Sequence, residues 1–598
     1  MFDSLHEECG VFGVFENQTT TVAQTAYLAL FALQHRGQES CGIAVNDDGV
    51  FRHHRGDGLV PDVFSKEQLA ALGTGNMAIG HVRYSTTGGK NANNIQPLVI
   101  RHIKGNLAVA HNGNLVNAPE LRRQFELKGA IFHGTSDTES IAYSIVEERL
   151  HSKSTEEAIE KIMPRLQGAF SCVVMTATKL IAFRDPNGFR PLCLGKTADD
   201  AYVVASESCA LDSIGAHFVR NIAPGEIVVI SKDGVRSITT HCGGLRHICV
   251  FEYIYFARPD SVIEGVSVQH ARMRAGAYLA KEHPVDADIV IGVPDSGLDA
   301  ALGYAQESGI PYGIGFIKNR YIGRSFIQPT QGQREDAVKI KLNVLRENIK
   351  GKRVVMIDDS IVRGTTSARI VSLLREAGAT EVHMRVSAPP FRHPCFFGTD
   401  IDSEENLIAC KFHEISEISC QLGVDSLGYL SVKSTHELAK ESGFDFCDGC
   451  FTGHYPIPTP KQQSKDKFEE KLKQDLKFMD YYKSVYISAK TGQRVEKILA
   501  AAEEVYAHAC FRIPTGALND LIGDAVRLNE PPSYLGRRMK VYFSSQVGVC
   551  PPVFVLFVND EGLLHFSYER YLENTIRAAY DFSGTPIKIV VREKKEEE

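Results

Sequence analysis

Up to about residue 240, short apolar runs of β type (GVFGVF, LAVAHNG, CVVMTA, YVVAS, EIVVIS) alternate with two stretches of helical period, roughly Thr20–Gln34 and Thr138–Leu150. Strands first and last with helices between them predict a layered α+β or αββα domain. From about 245 to 460 the pattern changes. DIVIGVPDSG precedes a helical stretch at Leu298–Gly309, and RVVMIDDS precedes another at Thr366–Ala377. Fully apolar short strands, each followed by a helix, predict an α/β domain with a parallel, doubly wound sheet. The polar stretch PTPKQQSKDKFEEKLKQ, about 458–474, reads as a linker leading into a helix. The last section, about 509–598, shows strands (MKVYFSSQ, VFVLFV, IKIVVR) and one helix near Tyr568–Tyr580, a small α+β domain. It closes on EKKEEE, a charge run expected to be disordered.

Composition narrows the class. The chain has 598 residues, 43% hydrophobic and 23% charged, which suits a folded protein of several domains. A formal net charge of -7 argues against a whole-chain nucleic-acid binder. No uninterrupted apolar run approaches the roughly 20 residues that cross a bilayer. The N-terminus, MFDSLHEECG, lacks the cationic start and apolar core of a secretory signal, so a cytoplasmic address and no membrane contact are expected. In that compartment the 14 cysteines are expected to be thiols, metal ligands or catalysts rather than disulfides. The chain has no GxGxxG and no GxxxxGK[ST] loop, so neither a dinucleotide nor an NTPase mechanism is supported.

The most informative stretch is VVMIDDSIVRGTTS, Val354–Ser367. An apolar strand delivers Asp358 and Asp359 to its C-terminal end, and a short loop (Arg363, Gly364, Thr365, Thr366, Ser367) opens a helix. Ligands of open α/β sheets sit beyond the carboxyl ends of strands, and helix N-termini attract phosphate. The small residues let the backbone close around a phosphate, and the two acids are placed for ribose hydroxyls. The motif resembles the ribose-phosphate loop of type I phosphoribosyltransferases. The resemblance implies that Asp295, Ser296 and Gly297 (in PDSG) form the pyrophosphate loop. It also implies that the segment from Lys318 through Tyr321 and Arg324, reaching to Lys341, is a lid over phosphoribosylpyrophosphate (PRPP). The substrate pyrophosphate implies Mg²⁺, held near Ser296, Asp358 and Asp359.

Five segments in the first 140 residues carry a second chemistry. They are Cys9 in HEECGVFGVF, His35–Ser40 (HRGQES), His81–Thr86 (HVRYST), His111–Asn114 (HNGN) and Gly134–Glu139 (GTSDTE). Together they resemble the glutaminase half of class II glutamine amidotransferases, which are N-terminal-nucleophile hydrolases. The resemblance implies a Cys9 thiolate that attacks the glutamine amide and forms a thioester. The implied base is the α-amine of Cys9 itself, which requires removal of Met1–Glu8 as a propeptide. It further implies that Arg83 pairs with the substrate α-carboxylate, that Asp137 holds the α-ammonium and that Arg36 orients the nucleophile. The Asn112 side chain and the Gly113 N–H would form an oxyanion hole.

Both halves on one chain resemble the glutamine-dependent PRPP amidotransferases, which make 5-phosphoribosylamine in the first committed step of purine synthesis. One branch of that family carries a [4Fe–4S] cluster on four cysteines in contexts matched here by Cys249, Cys395, Cys447 and Cys450, and that branch also has a propeptide. By pattern alone, the CxxC at 447–450 is open to a zinc knuckle, a redox pair or no special role, with no second CxxC to support a zinc ribbon, and the isolated Cys249 and Cys395 also read as buried small hydrophobes. Purine nucleotide inhibitors and a homotetramer are further expectations from the family. Another class II amidotransferase, such as a hexosamine-forming one, would need a sugar-phosphate isomerase module in place of the IDDSIVRGTTS loop.

Family members usually end near His454-Tyr455-Pro456. Here, Leu476–Asp480 and Ile487–Gly492 resemble the end of a GTPase domain, and residues from about 509 resemble the K-homology-like C-terminal domain of a tandem-domain ribosome-assembly GTPase. The phosphate loop, switch residues and Asn-Lys-x-Asp base reader are missing, so this remnant is not expected to hydrolyse GTP. Ribosomal RNA contact by 509–598, in a ribosome-associated fusion protein, is the alternative reading. The expected boundaries are 1–8 propeptide, 9–240 glutaminase, 241–460 phosphoribosyltransferase, 461–508 linker and GTPase remnant, and 509–598 K-homology-like.

Overall fold

The structure, a computed structural model, describes residues 9–84, 92–319, 342–399, 401, 404–412, 414–460, 472–473, 476, 479, 481–485, 496–534 and 536–594. The chain divides into two compact units, Met1–Pro460 and Lys461–Glu598.

The first unit begins with two antiparallel sheets stacked face to face. One has seven strands in the order His217–Asn221, Cys193–Lys196, Tyr202–Ala205, Gly10–Thr20, Gly75–Arg83, Ser40–Asp47, Val50–Asp57. The other has six, in the order Gly234–Ile238, Ile227–Ser231, Leu180–Arg184, Gly168–Thr176, Gly105–Leu115, Leu98–His102. Alternation along each strand sends Val11, Ala44, Met77 and Ile79 from one sheet against Ala108, Ala110, Val173 and Met175 from the other. The outer faces are covered by helices: Val22–Ala32 on the first sheet, Asp137–Arg149 and Thr155–Ile162 on the second. This is the αββα layering expected.

Two helices were legible in this region, within one or two residues. Ala118–Leu127 and Thr155–Ile162 were not. Ala118–Leu127 buries only Leu121 and Phe125, too few apolar positions to betray a period.

Four parallel strands follow, ordered Ile289–Gly292, Arg353–Asp358, Glu381–Val386, Ser426–Tyr429. Val290, Val355 and Ile357 face helices Val268–Glu282 and Leu298–Ser308, while Ile291, Val354 and Met356 face Thr365–Glu376 and Ile415–Leu422. Burial on both faces explains why these strands read as unbroken apolar runs. A two-stranded parallel ladder, His247–Cys249 with Asp445–Cys447, ties the start of this region to its end.

In the second unit, the three-stranded sheet Val541–Gly548, Val553–Val558, Lys588–Glu593 carries two helices, Thr515–Leu528 and Phe566–Ala579. The sequence reading expected one helix there. Thr515–Leu528 was hidden by Gly516, Asn519 and Gly523, poor helix formers, although Leu518, Ile522 and Ala525 bury one face. A further helix, Glu496–Cys510, precedes it, and Val505 lies where a Cβ on Gly584 would fall 2.4 Å from its Cγ2. The linker 458–474 and the Ile487–Gly492 segment lie largely outside the described residues, as do 595–598 of the charged end. No helix among the described residues is long and apolar enough to cross a membrane.

Gly276 and Gly303 set the spacing of the two helices over the parallel sheet. A Cβ at Gly276 would sit 1.8 Å from the Ala300 carbonyl oxygen, and one at Gly303 would sit 1.9 Å from that of Met273. Gly276→Ala or Gly303→Ala must therefore push the helices apart. Each is expected to cost about 1–3 kcal/mol, read in urea as a lower midpoint at unchanged slope.

Candidate active site

Cys9 precedes the strand Gly10–Thr20, which pairs with Gly75–Arg83 so that Gly10 lies opposite Val82. The register brings Cys9 beside Arg83, and its thiol approaches the Tyr84 carbonyl at 3.8 Å. Gly37 allows this crowding, since a Cβ there would lie 2.5 Å from the Arg83 amide.

Arg36 is 1% exposed and spends its fork on the site's frame. Its Nε donates to the Cys9 carbonyl at 3.1 Å. Nη1 donates to Glu207 at 2.6 Å and to Glu252 at 2.9 Å, and Nη2 donates to Glu252 at 2.8 Å. His35 also meets Glu207, at 2.8 Å. Burial alone would raise the Glu207 carboxyl, but His35 and Arg36 hold it well below the usual carboxylate range. Neither acid was singled out from the sequence. The available signal was a lone acid within an apolar run, as in CVFEYIYF, which demands a buried partner.

The opposite wall comes from the second sheet. His81 Nε2 lies 3.0 Å from the His111 carbonyl and joins the two sheets at this end. Asn112 is 1% exposed, and its Nδ2 has no hydrogen-bond partner. Gly113 has φ +139°, and a Cβ on it would strike the Ala169 carbonyl oxygen at 2.1 Å, so only glycine fits there. Asp137 opens the helix Asp137–Arg149, where its charge suits the N-terminal dipole. It accepts from the Leu115 amide at 2.9 Å and lies 3.6 Å from His111 Nδ1. Burial would raise its carboxyl, yet His111 and the Leu115 and Thr138 amides hold it below the usual range. Asn114 donates to the Phe396 carbonyl at 2.8 Å, so the region carrying the parallel sheet reaches this wall.

At the parallel sheet, the loops after two adjacent strands meet. Ser296 donates to Asp359, as does Ser360, and the Asp359 amide donates to Asp358 at 3.0 Å. Both acids are 8% exposed. Burial first, then the charge of Asp359, pushes the Asp358 carboxyl well up; burial also raises Asp359. Two like charges held this close disfavour ionising both at once. Gly364 caps the following helix at φ +85°, with Ile408 packed where its Cβ would be, and Thr365, Thr366 and Ser367 form the first turn behind the half-buried Arg363. Gly297 lies against the Ile357 carbonyl, 2.4 Å from its would-be Cβ, which brings the PDSG loop onto the neighbouring strand. Lys318 pairs with Asp295. Tyr321, Arg324 and Lys341 lie outside the described residues, as do Met1–Glu8.

Cys249 and Cys447 are register partners in the short parallel ladder. Burial pushes the Cys447 and Cys450 thiols well up, and the nearby sulfurs of Cys249 and Cys395 add to it. Phe189, Phe397 and Tyr455 wall in Cys395 and Cys447. Among the described residues, no group of three or more His, Cys, Asp or Glu is arranged to hold a single metal ion.

A family model described as a glutamine amidotransferase domain matches residues 81–213. A phosphoribosyl transferase domain model matches 268–395, and a KH-domain-like model of EngA bacterial GTPase enzymes, C-terminal, matches 512–592. The amidophosphoribosyltransferase of Archaeoglobus fulgidus is 47% identical over 457 residues, 76% of this chain and 99% of that protein. The Bacillus subtilis amidophosphoribosyltransferase is 49% identical over 457 residues, 76% of this chain and 94% of its own length. A solved structure of glutamine PRPP amidotransferase from B. subtilis, complexed with ADP and GMP, superposes with a TM-score of 0.71 at 47% identity, covering 76% of this chain and 98% of that one. Near-complete coverage of such relatives settles the family, and the chain belongs to the amidophosphoribosyltransferases.

Proposed function

We propose that the chain converts glutamine, PRPP and water to 5-phosphoribosylamine, glutamate and pyrophosphate, opening purine synthesis. The observation that carries this reading is that one compact unit holds both constellations and joins them through the buried Arg36–Glu252 ion pair and the half-buried Asn114–Phe396 hydrogen bond.

In this reading the Cys9 thiolate attacks the glutamine amide. The α-amine freed by removal of residues 1–8 takes the thiol proton and passes it to the departing ammonia. Arg83 pairs with the substrate carboxylate, Asp137 with its ammonium, and Arg36 fixes the Cys9 backbone. Asn112 Nδ2, buried with nothing to donate to, is supplied with an acceptor when the tetrahedral oxyanion forms beside the Gly113 N–H. Water then cleaves the thioester. Ammonia passes internally, because release at neutral pH would protonate it, and it displaces pyrophosphate from the ribose.

Asp358 and Asp359 hold the ribose hydroxyls, Arg363–Ser367 the 5-phosphate, and Asp295–Gly297 the pyrophosphate. Lys318, Tyr321, Arg324 and Lys341 close over them. Mg²⁺ at Ser296, Asp358 and Asp359 would neutralise pyrophosphate charge, and the raised carboxyls there fit a site completed by a cation. Cys249, Cys395, Cys447 and Cys450 would hold a [4Fe–4S] cluster in a structural role. Four sulfurs gathered in an apolar shell, costly to ionise alone, suit one. Purine nucleotides as inhibitors, a homotetrameric assembly and a cytoplasmic address complete the proposal. Its domains are 9–240 and 241–460, and the reaction draws on nothing in 461–508 or 509–598.

Cys9→Ala is expected to lower glutamine-dependent pyrophosphate release by at least ~10³-fold while leaving the ammonia-dependent reaction within about twofold. Equal loss of both would overturn the reading. For Asn112→Ala, kcat with glutamine should fall about 10²–10³-fold with little change in KM, measured by steady-state glutamate formation.

Asp358→Asn should behave in two opposite ways. Turnover of PRPP should fall at least ~10²-fold even with ammonia as donor. The Mg²⁺-free protein, however, should melt at a higher temperature than the parent at neutral pH. A carboxyl raised on folding costs stability as pH climbs from the unfolded value, about 3.9, toward the folded one, so the advantage should shrink as pH falls toward that lower bound. Thermal melts at several pH values read it directly.

A further inference from the structure

The second unit holds a pair of thiols that the reaction does not use. Cys510 ends the helix Glu496–Cys510, and Cys550 stands in the turn between strands Val541–Gly548 and Val553–Val558. Their sulfurs lie 2.8 Å apart, although 40 residues separate them in sequence. Cys550 is exposed and Cys510 partly so. The approach is fixed by the surrounding backbone. The Cys550 amide donates to the Ala509 carbonyl at 3.0 Å. Next to it, Gln546 clasps the segment after the helix, accepting from the Ile513 amide at 2.8 Å and donating to the Phe511 carbonyl at 2.9 Å. Cys550 itself sits in the left-handed region, φ +54°, and Pro551 follows it. Two chain segments are thus clamped together on either side of the two sulfurs. The remaining adjustment to a bonding distance near 2.05 Å is under one ångström.

We propose that Cys510 and Cys550 form a dithiol modification site, which low-molecular-weight disulfides of the glutathione type oxidise to an internal disulfide. One protein thiolate attacks the small disulfide, breaking its S–S bond, forming a mixed disulfide and releasing one small thiol. The second protein thiolate attacks the protein sulfur of that mixed disulfide, forming the Cys510–Cys550 bond and expelling the second small thiol. The two protons leave the protein thiols and end on the released small thiols, and two electrons pass from the pair to the small disulfide. Because the second sulfur is already in place, the mixed disulfide on this pair is short-lived. The bond ties the last turn of the helix to the hairpin turn, and excess small thiol reverses it.

The test titrates the full-length chain with oxidised glutathione, quenches it with an alkylating agent and maps the cysteines by mass spectrometry. Cys420 is also exposed and serves as the access control. The expected result is a crosslinked peptide joining Cys510 to Cys550, two hydrogens lighter than the reduced pair and released by dithiothreitol. It should appear at a roughly tenfold lower glutathione disulfide concentration than half-modifies Cys420, which should stop at the mixed disulfide. In Cys510→Ser, Cys550 should stop at the mixed disulfide as well. Recovery of Cys510 and Cys550 both alkylated, or each carrying its own glutathione, once Cys420 is modified would overturn the proposal. So would a crosslink from Cys550 to a different cysteine in the parent chain.

Discussion

Arg36 carries a full charge with almost no solvent contact, and its guanidinium must find its partners within the protein. It takes Glu207 from the cap of the short helix Ser208–Ser213, Glu252 from the start of the next region, and the carbonyl of Cys9. Glu252 is shared with Arg190, whose other nitrogen donates to the Phe397 carbonyl at 2.6 Å. Glu207 also accepts from Ser261 and from the Arg258 amide. Such a network adds little net stability over a well-packed apolar equivalent, but loss of one member strands a buried charge at about 3–5 kcal/mol. The guanidinium that holds the Cys9 carbonyl also takes Glu252 from the following region, so one buried network spans both halves of the unit.

The acidic pair at the end of the parallel sheet is built on the opposite principle. There the protein gathers like charges at the ends of adjacent strands, Asp358 beside Asp359, and braces them only with hydroxyls from Ser296 and Ser360. Left alone, this arrangement costs stability. It concentrates instability at the ends of two adjacent strands, as functional sites commonly do.

Much of this was readable from residues. DIVIGVPDSG and RVVMIDDS gave strands and the helices behind them because both faces of those strands are buried and the loops are made of turn residues. The helix at Thr365 begins one residue earlier than its periodicity suggests, since Gly364 in the left-handed region caps it. The motifs around Cys9, Arg83, Asn112 and Asp137 were visible because catalytic residue types cluster in short segments. The partners of Arg36 were not, lying 171 and 216 positions away, where no local period points. The helix Thr515–Leu528 was missed because two glycines and an asparagine weaken its propensity, while the sheet it packs on supplies the stability.

The hydrogen bond from Asn114 to the Phe396 carbonyl, and the Gly398 Cα lying where any side chain would meet Gly113 at 3.4 Å, fit the two halves to each other in shape. The second region's main chain forms part of the wall behind the first region's strand Gly105–Leu115. Replacing either half with a differently shaped one would have to preserve that close seam. A change of shape on one side therefore constrains what the other side can accept.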